Sequence, residues 1–224
     1  MNRISEVSFR AVSLTTASRF AEASELYRAV FGYLDPAYGL NPRLLGALAS
    51  NGGSVVGILD ESDKLVAFAY GFCGTDRRGF YHYSQSAVVA ADHQGHGLGR
   101  MLKQAQREVA LSHGMSRMRW TYDPMQVRNA HFNLDVLGAR GRWFAPDMYG
   151  PGTDRVIVEW DLTREQPAAV DQAELTELTE LILPADPAEL RTSFEGLLAK
   201  GLAAVSCRRL PDGNGAYYFG PADA

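Results

Sequence analysis

The chain has 224 residues, of which 46% are hydrophobic and 21% are charged, and its formal net charge is −4. This composition is that of an ordinary globular protein, and the acidic balance argues against a nucleic-acid partner. The two cysteines form no CxxC pair, which argues against a disulfide framework or zinc site and favours a reducing compartment. Without a signal-peptide pattern or an apolar run of roughly 20 residues, the sequence predicts a cytoplasmic protein with no membrane partner.

The first half of the sequence predicts a strand, two helices and then three strands. Alternating apolar residues indicate a strand over residues 7–12, and apolar residues at helical spacing indicate helices over residues 16–32 and 41–50. The β-rich runs "SVVGILD" and "KLVAFAYGFC" flank the turn "ESD", which predicts a hairpin. A further long strand is predicted over "FYHYSQSAVVA".

The second half predicts two helical crossovers between strands, followed by a small appendage. We expect a helix over residues 97–113, a strand over "SRMRWTYDP", a helix over residues 125–138 and a strand over "DRVIVEWDL". The polar stretch "TREQPAAVDQAE" is typical of a linker. A helix over residues 187–200 and the strands "LAAVSCRRL" and "AYYFG" follow it. The order predicts an α/β fold, with one domain in residues 1–163 and an α/β appendage in residues 164–224.

Three glycines at alternate positions, Gly95, Gly97 and Gly99, lie between a predicted strand and a predicted helix. They match neither the GxxxxGK[ST] loop of nucleotide triphosphatases nor the GxGxxG spacing of dinucleotide-binding folds. Small residues at a strand-to-helix junction let backbone N–H groups face an anion at the helix N-terminus, where Arg100 and Lys103 add positive charge. The alternative is a tight turn without a ligand.

The segment Gln94-x-x-Gly97-x-Gly99 resembles the [QR]xxGxG/A acyl-CoA loop of the GNAT acyltransferases. The order of strand, loop, helix, strand and second helix is similar to that family over residues 7–162. The run "WTYDPMQVRNAHFN" also resembles a GNAT subfamily with a WT-x-DP and RNA-x-FN signature. The resemblance implies a GNAT fold with a mixed central sheet and helices on both faces.

The resemblance further implies acyl-CoA as the co-substrate and indicates the residues that bind it. The backbone of Val88 and Val89 would contact the pantetheine arm and hold the thioester oxygen. The pyrophosphate would bind the loop residues Gln94, Gly95, His96, Gly97, Leu98, Gly99 and Arg100. Asn129 would steady the CoA arm or act as a plain helix cap, and Asn133 would contact CoA or belong to a buried network.

The reaction implied by the resemblance is attack of an amine on the thioester in a ternary complex, which needs a base or a water chain. The strand before the loop offers no carboxylate, so the candidate bases are His82 and Asp123. The alternative to a catalytic role is that His82 is a histidine packed on a face of the sheet and that Asp123 is a turn residue before Pro124. Relatives often carry an acid tyrosine where this chain has Leu134, so the acid role falls to Tyr122, His131 or solvent.

These observations predict an acyltransferase that moves an acyl group, with acetyl preferred, from acyl-CoA to the amine of a small molecule or amino acid. The alternatives are a succinyl-CoA-dependent amino-acid N-acyltransferase, a non-catalytic acyl-CoA sensor, and an interaction module whose appendage mediates a homodimer. The pair His93-x-x-His96 lacks a third ligand cluster, so no metal is expected. No motif identifies the acceptor.

Overall fold

The computed structural model describes residues 8–164 and 172–222. The chain divides into two compact units, unit 1 (Met1–Met118) and unit 2 (Arg119–Ala224). The predicted domain boundary at residue 163 borders residues 165–171, which lie outside the described residues, so the division into a main domain and an appendage stays a prediction. Within the described parts of the chain, no helix combines the length and apolar character needed to cross a bilayer.

Unit 1 contains an antiparallel run of strands in the order β1-β2-β3-β4. Its strands are β1 (Arg10–Ser13), β2 (Ser54–Leu59), β3 (Leu65–Asp76) and β4 (Gly79–Val89). Its α-helices are α1 (Ala17–Phe31), α2 (Pro42–Ser50) and α3 (Leu98–Ser112). All of these elements were predicted from the sequence; β1 begins later than expected, and Val7 of the predicted strand lies outside the described residues.

The core of unit 1 lies on both faces of its strands. All six residues of β2 are buried, which agrees with its continuous apolar sequence. Because neighbouring strand residues point to opposite faces, Val55 packs in one cluster with Phe20 of α1, whereas Val56 packs in a second cluster with Leu102 of α3. The apolar stripe of α3 therefore packs the helix against one face of the strands of unit 1.

A β-bulge interrupts β4 shortly before its end. Tyr70 pairs with Ser86 and Gly71 pairs with Ser84, so Gln85 has no residue opposite it on β3. A Cβ atom at Gly71 would lie 2.4 Å from the Tyr83 carbonyl oxygen and 2.5 Å from Nε2 of His82. Glycine is therefore required there for the close approach of β4 and the imidazole ring.

Unit 2 contains strands in the order β5-β7-β6-β9-β10-β8, and the division between the units falls within β5. Its strands are β5 (Arg117–Tyr122), β6 (Arg140–Ala145), β7 (Arg155–Asp161), β8 (Thr179–Ile182), β9 (Leu202–Arg209) and β10 (Gly215–Pro221). Its α-helices are α4 (Val127–His131), α5 (Gln172–Leu175) and α6 (Pro187–Ala199). The predicted elements α6, β9 and β10 are confirmed.

Unit 2 differs from the prediction in four elements, of which β8 and the short helix α5 were not predicted at all. The helix expected over residues 125–138 is an α-helix of five residues followed by a π-helical segment, Phe132–Val136, in which Leu137 N donates to the carbonyl oxygen of Phe132 five residues earlier. Strand β6 was not predicted, because "RGRWFA" has neither the alternation nor the β-branched residues of a typical strand. Its pairing with β7 and its register with β9 at Gly141 and Ala204 stabilise it instead.

Candidate functional site

The candidate anion loop of unit 1 connects the end of β4 to the start of α3. Val88 and Val89 end β4 and pair with Phe68 and Ala67 of β3. A single 3-10 turn, Ala91–His93, follows, and then the exposed extended residue Gln94. The sequence placed this strand–loop–helix order correctly.

The backbone at positions 95 and 97 adopts a conformation that favours glycine. Their φ angles are 87° and 76°, in the left-handed region that favours glycine, and no atom lies within 4 Å of a Cβ built at either position. Gly99, in contrast, lies in the first turn of α3, which begins at Leu98. The glycine spacing therefore shapes a turn into the helix and leaves open space beside it.

The N-terminus of α3 presents backbone N–H groups to this open space. The amides of Arg100 and Met101 donate to the carbonyl oxygen of Gly97, at 3.0 and 3.2 Å, so the N–H groups of Leu98 and Gly99 precede the first bonded turn. Gly97 is the N-cap and supplies no side-chain hydrogen bond, and the first turn contains no acidic residue. Arg100 is exposed. This arrangement suits a phosphate or pyrophosphate.

The two histidines of the loop are engaged within it. His93 Nδ1 lies 2.8 Å from a carboxylate oxygen of Asp92, and His96 Nδ1 lies 3.2 Å from the carbonyl oxygen of His93. Both rings also contact Phe9, with centroids 6.1 and 5.9 Å away. Across the described ranges no group of three or more His, Cys, Asp or Glu residues is arranged to hold a metal.

A chain of five buried polar side chains lies where α3 covers β2 and β4. Its members are Ser54, His82, Ser84, Lys103 and Gln106. Lys103 Nζ donates to Ser84 Oγ (2.8 Å), Ser84 Oγ donates to Gln106 Oε1 (2.8 Å), and Gln106 Nε2 donates to Ser54 Oγ (3.0 Å). The proton left on Ser54 then points to His82 Nε2, at 2.9 Å. A neutral His82 therefore accepts at Nε2 and carries its proton on Nδ1, which has no hydrogen-bond partner within the described residues.

The predicted base His82 lies inside this chain and has no exposed surface. Burial, and then the charge of Lys103, lower the pKa of the imidazole to about 4. At neutral pH the ring is a neutral hydrogen-bonding group whose proton affinity is too low for an efficient base. Its position indicates that any part it has in catalysis is exerted through β4.

The buried ammonium of Lys103 gives a pH-dependent stability that can be measured. Burial lowers its pKa to about 7, whereas an unfolded lysine titrates near its usual value of about 10.4. Between these values the unfolded state binds more protons, so stability rises with pH in that window and is flat below it. Lys103→Met should remove this dependence. By urea unfolding at pH 6.5, 8 and 9.5, the stability of the wild type relative to the variant should rise by about 1.4 kcal/mol per pH unit above neutrality; parallel pH profiles would contradict the assignment.

Two candidate catalytic residues, Tyr122 and Asp123, lie at the end of β5 in unit 2. Tyr122 is buried beside Tyr217, and its hydroxyl makes no hydrogen bond of regular geometry within the described residues. The Tyr217 hydroxyl donates to the Pro124 carbonyl oxygen at 2.7 Å. Burial raises the pKa of the Tyr122 phenol well above its usual range, so the group keeps its proton. Asp123 Oδ1 accepts from Met125 N (2.9 Å), the bond of a turn residue.

The two candidate asparagines lie on α4 and the π-helical segment. Asn133 is buried, and its Oδ1 accepts from Nε1 of Trp120 at 2.9 Å. Its amide nitrogen donates to Oδ1 of the exposed Asn129 at 3.3 Å. Asn133 thus belongs to a buried network, which was one of its two predicted roles, and a CoA contact stays a prediction for both residues.

The expectation that Lys103 adds charge at the anion loop is wrong, because its ammonium is buried against Ser84, and Gln106 was not predicted as a site residue at all. Lys103 and Gln106 lie three residues apart on the buried stripe of α3, together with Leu102 and Ala110. Polar side chains at those helical positions were the available signal for a buried network. Asp135 on the π-helical segment was missed too, because its partners lie on β9, about 70 residues later.

Comparison with known proteins agrees with this geometry. The model of the acetyltransferase (GNAT) family matches residues 12–133, more than half of the chain. No curated protein matches the chain significantly. An acetyltransferase candidate from Acinetobacter baylyi ADP1 is 18% identical, with a TM-score of 0.56, over 74% of this chain and 100% of its own. YncA from Salmonella typhimurium, solved with its cofactor acetyl-CoA, is 19% identical, with a TM-score of 0.56, over 73% and 98%.

Aminoglycoside 6'-acetyltransferase type Ii shares the fold at 14% identity and a TM-score of 0.54, over 70% of this chain and 99% of its own. At these identities the structural matches establish the fold alone. The family match covers the strand, the glycine loop and α3, which are the elements that form the candidate anion site. The chain belongs to the GNAT acetyltransferase family.

Proposed function

We propose that this protein transfers an acyl group, with acetyl preferred, from acyl-CoA to an amine. The observation that carries the proposal is the loop from β4 to α3, where left-handed Gly95 and Gly97 lead into an uncapped helix N-terminus beside Arg100. A pyrophosphate is the anion that such a loop would take in an acyl-CoA. The similar fold of YncA, solved with acetyl-CoA, supports this choice of donor.

In the proposed reaction the amine nitrogen attacks the thioester carbonyl carbon. A C–N bond forms, the C–S bond breaks, the amine gives up a proton, and the CoA thiolate takes one. The backbone at Val88 and Val89 would hold the carbonyl oxygen as its charge develops. The loop from Gly95 to Arg100 would bind the pyrophosphate, with the N–H groups of Leu98 and Gly99 at the helix N-terminus as donors, and Asn129 would steady the CoA arm.

Proton transfer is proposed to involve the end of β5. Asp123 is the stronger candidate base, because its side chain is only half-buried, whereas His82 is fully enclosed and out of reach of a substrate amine. Tyr122, which directly precedes Asp123 at the end of β5, is the candidate acid for the departing thiolate; burial raises the pKa of its phenol, so it carries the proton but releases it less readily than an exposed tyrosine. His82 would then act as a positioning residue for β4.

Replacing Tyr122 by phenylalanine separates stability from catalysis. The change removes a buried hydroxyl without a protein partner, so the melting temperature should stay the same or rise. If Tyr122 donates the proton, kcat should fall by roughly 100-fold. The matched control is Tyr217→Phe, which loses the 2.7 Å bond to the Pro124 carbonyl and should lower stability while kcat is kept. An unchanged kcat in Tyr122→Phe would leave the acid role to solvent.

The test of the proposed function is release of CoA thiol from acetyl-CoA and succinyl-CoA with a panel of amino acids, polyamines and peptide N-termini. Cys73 is exposed and would react with a thiol reagent, so the assay should use a Cys73→Ser background; Cys207 is buried, and burial raises its pKa to about 12. Release of CoA that depends on an added amine would support the proposed acyltransferase activity. Tight CoA binding without turnover on the whole panel would favour the second candidate, an acyl-CoA sensor, for which the enclosed His82 is the supporting observation.

The remaining expectations from the sequence are proposals as well. The same thiol-release assay shows whether the protein uses succinyl-CoA or acetyl-CoA as the acyl donor. A homodimer formed through residues 164–224 is tested by analytical ultracentrifugation of the full chain, and a cytoplasmic location by cell fractionation.

A further inference from the structure

One end of the β6–β7 pair in unit 2 carries a group of charged side chains that the proposed chemistry does not use. Strand β6 begins at Arg140 and β7 ends at Asp161, and because the two strands are antiparallel these residues lie at the same end of the pair. Four arginines and two carboxylates form what we call the arginine cluster: Arg119, Arg140, Arg142, Arg164, Glu159 and Asp161. The cluster is therefore positively charged, in a chain whose formal net charge is −4.

Both carboxylates of the cluster are already engaged by arginines. Arg119 Nε and Nη2 both lie 2.7 Å from Glu159 Oε2, and Arg142 Nε lies 3.5 Å from Glu159 Oε1. Arg164 Nε lies 3.3 Å from Asp161 Oδ2. Each oxygen of the buried Glu159 thus has its own guanidinium, and the two carboxylates together hold three of the four arginines.

Arg140 is the arginine that these ion pairs leave out. It pairs directly with Glu159 across β6 and β7, so both side chains leave the same face of the sheet. In residues 8–164 and 172–222 no carboxylate forms an ion pair with Arg140. Arg140 is nevertheless half-buried. A cation removed from water in this way costs free energy unless an anion accompanies it.

The neighbouring arginines add to this cost. Burial, and then the charges of Arg142 and Arg164, lower the pKa of the Arg140 guanidinium. Folding therefore disfavours the charged form of Arg140, and its charge reduces the stability of the protein. An anion among the three guanidiniums would offset both the burial and the repulsion.

A phosphate group matches the donors and the charge of this cluster. Guanidinium groups present their N–H donors in a planar fork, which fits the oxygens of phosphate or carboxylate. A phosphate monoester carries a charge of about −1.5 to −2 near pH 7. The four guanidiniums exceed the two carboxylates by two charges, so a phosphate balances the excess, whereas a single carboxylate leaves half of it.

We propose that Arg140, Arg142 and Arg164 form an accessory binding site for a phosphate group, either free phosphate or a phosphate monoester. The site shares no residue with the candidate anion loop of unit 1. It also lies on the other face of the sheet from the candidate acid, because Arg119 and Tyr122 are three positions apart on β5 and their side chains point to opposite faces. The site does not depend on the proposed acyl transfer.

The first test measures stability in a phosphate-free buffer of low ionic strength. Arg140→Gln should raise the melting temperature by about 2–4 °C, because it removes a half-buried charge that two guanidiniums repel. Arg209→Gln, which removes an exposed arginine elsewhere in unit 2, is the matched charge control and should leave the melting temperature unchanged. A lower melting temperature in Arg140→Gln would identify Arg140 as a structural residue and overturn the inference.

The second test is calorimetric titration with inorganic phosphate and, separately, with glycerol 3-phosphate. Gly97→Asp serves as the background, because its carboxylate repels anions from the candidate anion loop, and sodium chloride keeps the ionic strength constant. Added Arg140→Gln or Arg164→Gln should raise Kd by at least about tenfold, and the exposed position of Arg164 makes the second variant harmless to folding.

The two titrants distinguish the sources of the phosphate group. Equal affinities would identify free phosphate as a sufficient ligand, and tighter binding of glycerol 3-phosphate would identify a phosphate monoester. If the Gly97→Asp protein bound neither titrant, or if Arg140→Gln and Arg164→Gln left the affinity unchanged, the inference would be refuted. Neither test uses acyl-CoA, so its outcome is separate from that of the proposed function.

Discussion

Gly97→Asp should weaken CoA binding by about 100-fold relative to Gly97→Asn, although the two side chains have nearly the same size. Residue 97 has a φ of 76°, where Asn and Asp are the best tolerated residues after glycine, and nothing lies within 4 Å of a Cβ there. Both variants should therefore fold. The carboxylate of Asp would sit beside the N–H groups that the pyrophosphate needs, and like charges a few ångströms apart in a partly exposed site repel by about 2–3 kcal/mol. The measurement is calorimetric titration with CoA.

The control for backbone strain lies in the same unit. Gly52 has a φ of 78°, and again no atom lies within 4 Å of its Cβ position, but it belongs to the turn between α2 and β2. Gly52→Asp and Gly52→Asn should lower the melting temperature as much as the Gly97 pair and leave CoA affinity unchanged. Raised ionic strength should narrow the difference between Gly97→Asp and Gly97→Asn, since the repulsion is screened by salt. If the two Gly97 variants bound CoA equally well, the pyrophosphate would have to lie elsewhere.

The loop could be predicted from the sequence because its determinants are local. Gly95 and Gly97 adopt left-handed conformations within the turn itself, and the stripe formed by Leu98 and Leu102 fixes where the helix begins and which side is buried. Glycine spacing and helical periodicity act over a few residues, so one sequence contains the whole signal. The same argument explains why α1, α2 and α6 were predicted within one or two residues.

The buried polar chain could not be predicted, because its members come from three separate elements. His82 was chosen as a base for the pKa of an isolated imidazole, but the pairing of β4 with β3 and the packing of α3 enclose it. Desolvation then lowers the pKa of His82, although its ordinary value near neutrality was the reason for choosing it as a base. The position of Lys103 on the buried stripe of α3 indicated burial, but it did not identify Ser84 on β4 as the partner of its ammonium.

Non-local pairing also explains the errors in unit 2. The segment Arg140–Ala145 is a strand because it lies between β7 and β9, and β9 begins about 60 residues later. The π-helical turn at Phe132–Val136 inserts one residue into the helix and lets Asn133 reach Trp120 while Asp135 reaches β9. Such an insertion has no periodic signature, because the apolar residues on either side keep a helical spacing.

Asp135→Ala should destabilise the protein by about 3–5 kcal/mol, the largest loss of stability we expect from a single change in unit 2. The Asp135 carboxylate is 2% exposed and accepts from Ser206 Oγ (2.6 Å) and Cys207 N (3.0 Å), and Arg208 Nη2 lies 3.0 Å from it. His131 Nδ1 lies 3.0 Å from the same carboxylate and from the carbonyl oxygen of Cys207. Alanine leaves the buried Ser206 hydroxyl and Cys207 amide without their acceptor, which costs more than the net strength of the bonds. Urea unfolding of both proteins gives the difference.

Asp135→Asn is the matched control, because it keeps the shape and one acceptor oxygen but replaces the other oxygen with a donor. With its oxygen at the Oδ1 position it still accepts from Ser206 and Arg208 and loses the Cys207 amide, and with its oxygen at the Oδ2 position it keeps the Cys207 amide and loses the other two donors. Its loss of stability should therefore fall between zero and that of Asp135→Ala. Because the carboxylate fastens the π-helical segment to β9, Asp135→Ala should also increase hydrogen exchange at Leu137 N, whose acceptor is the Phe132 carbonyl. A loss of less than about 1 kcal/mol, typical of an exposed ion pair, would mean that the carboxylate contributes no more than a surface contact.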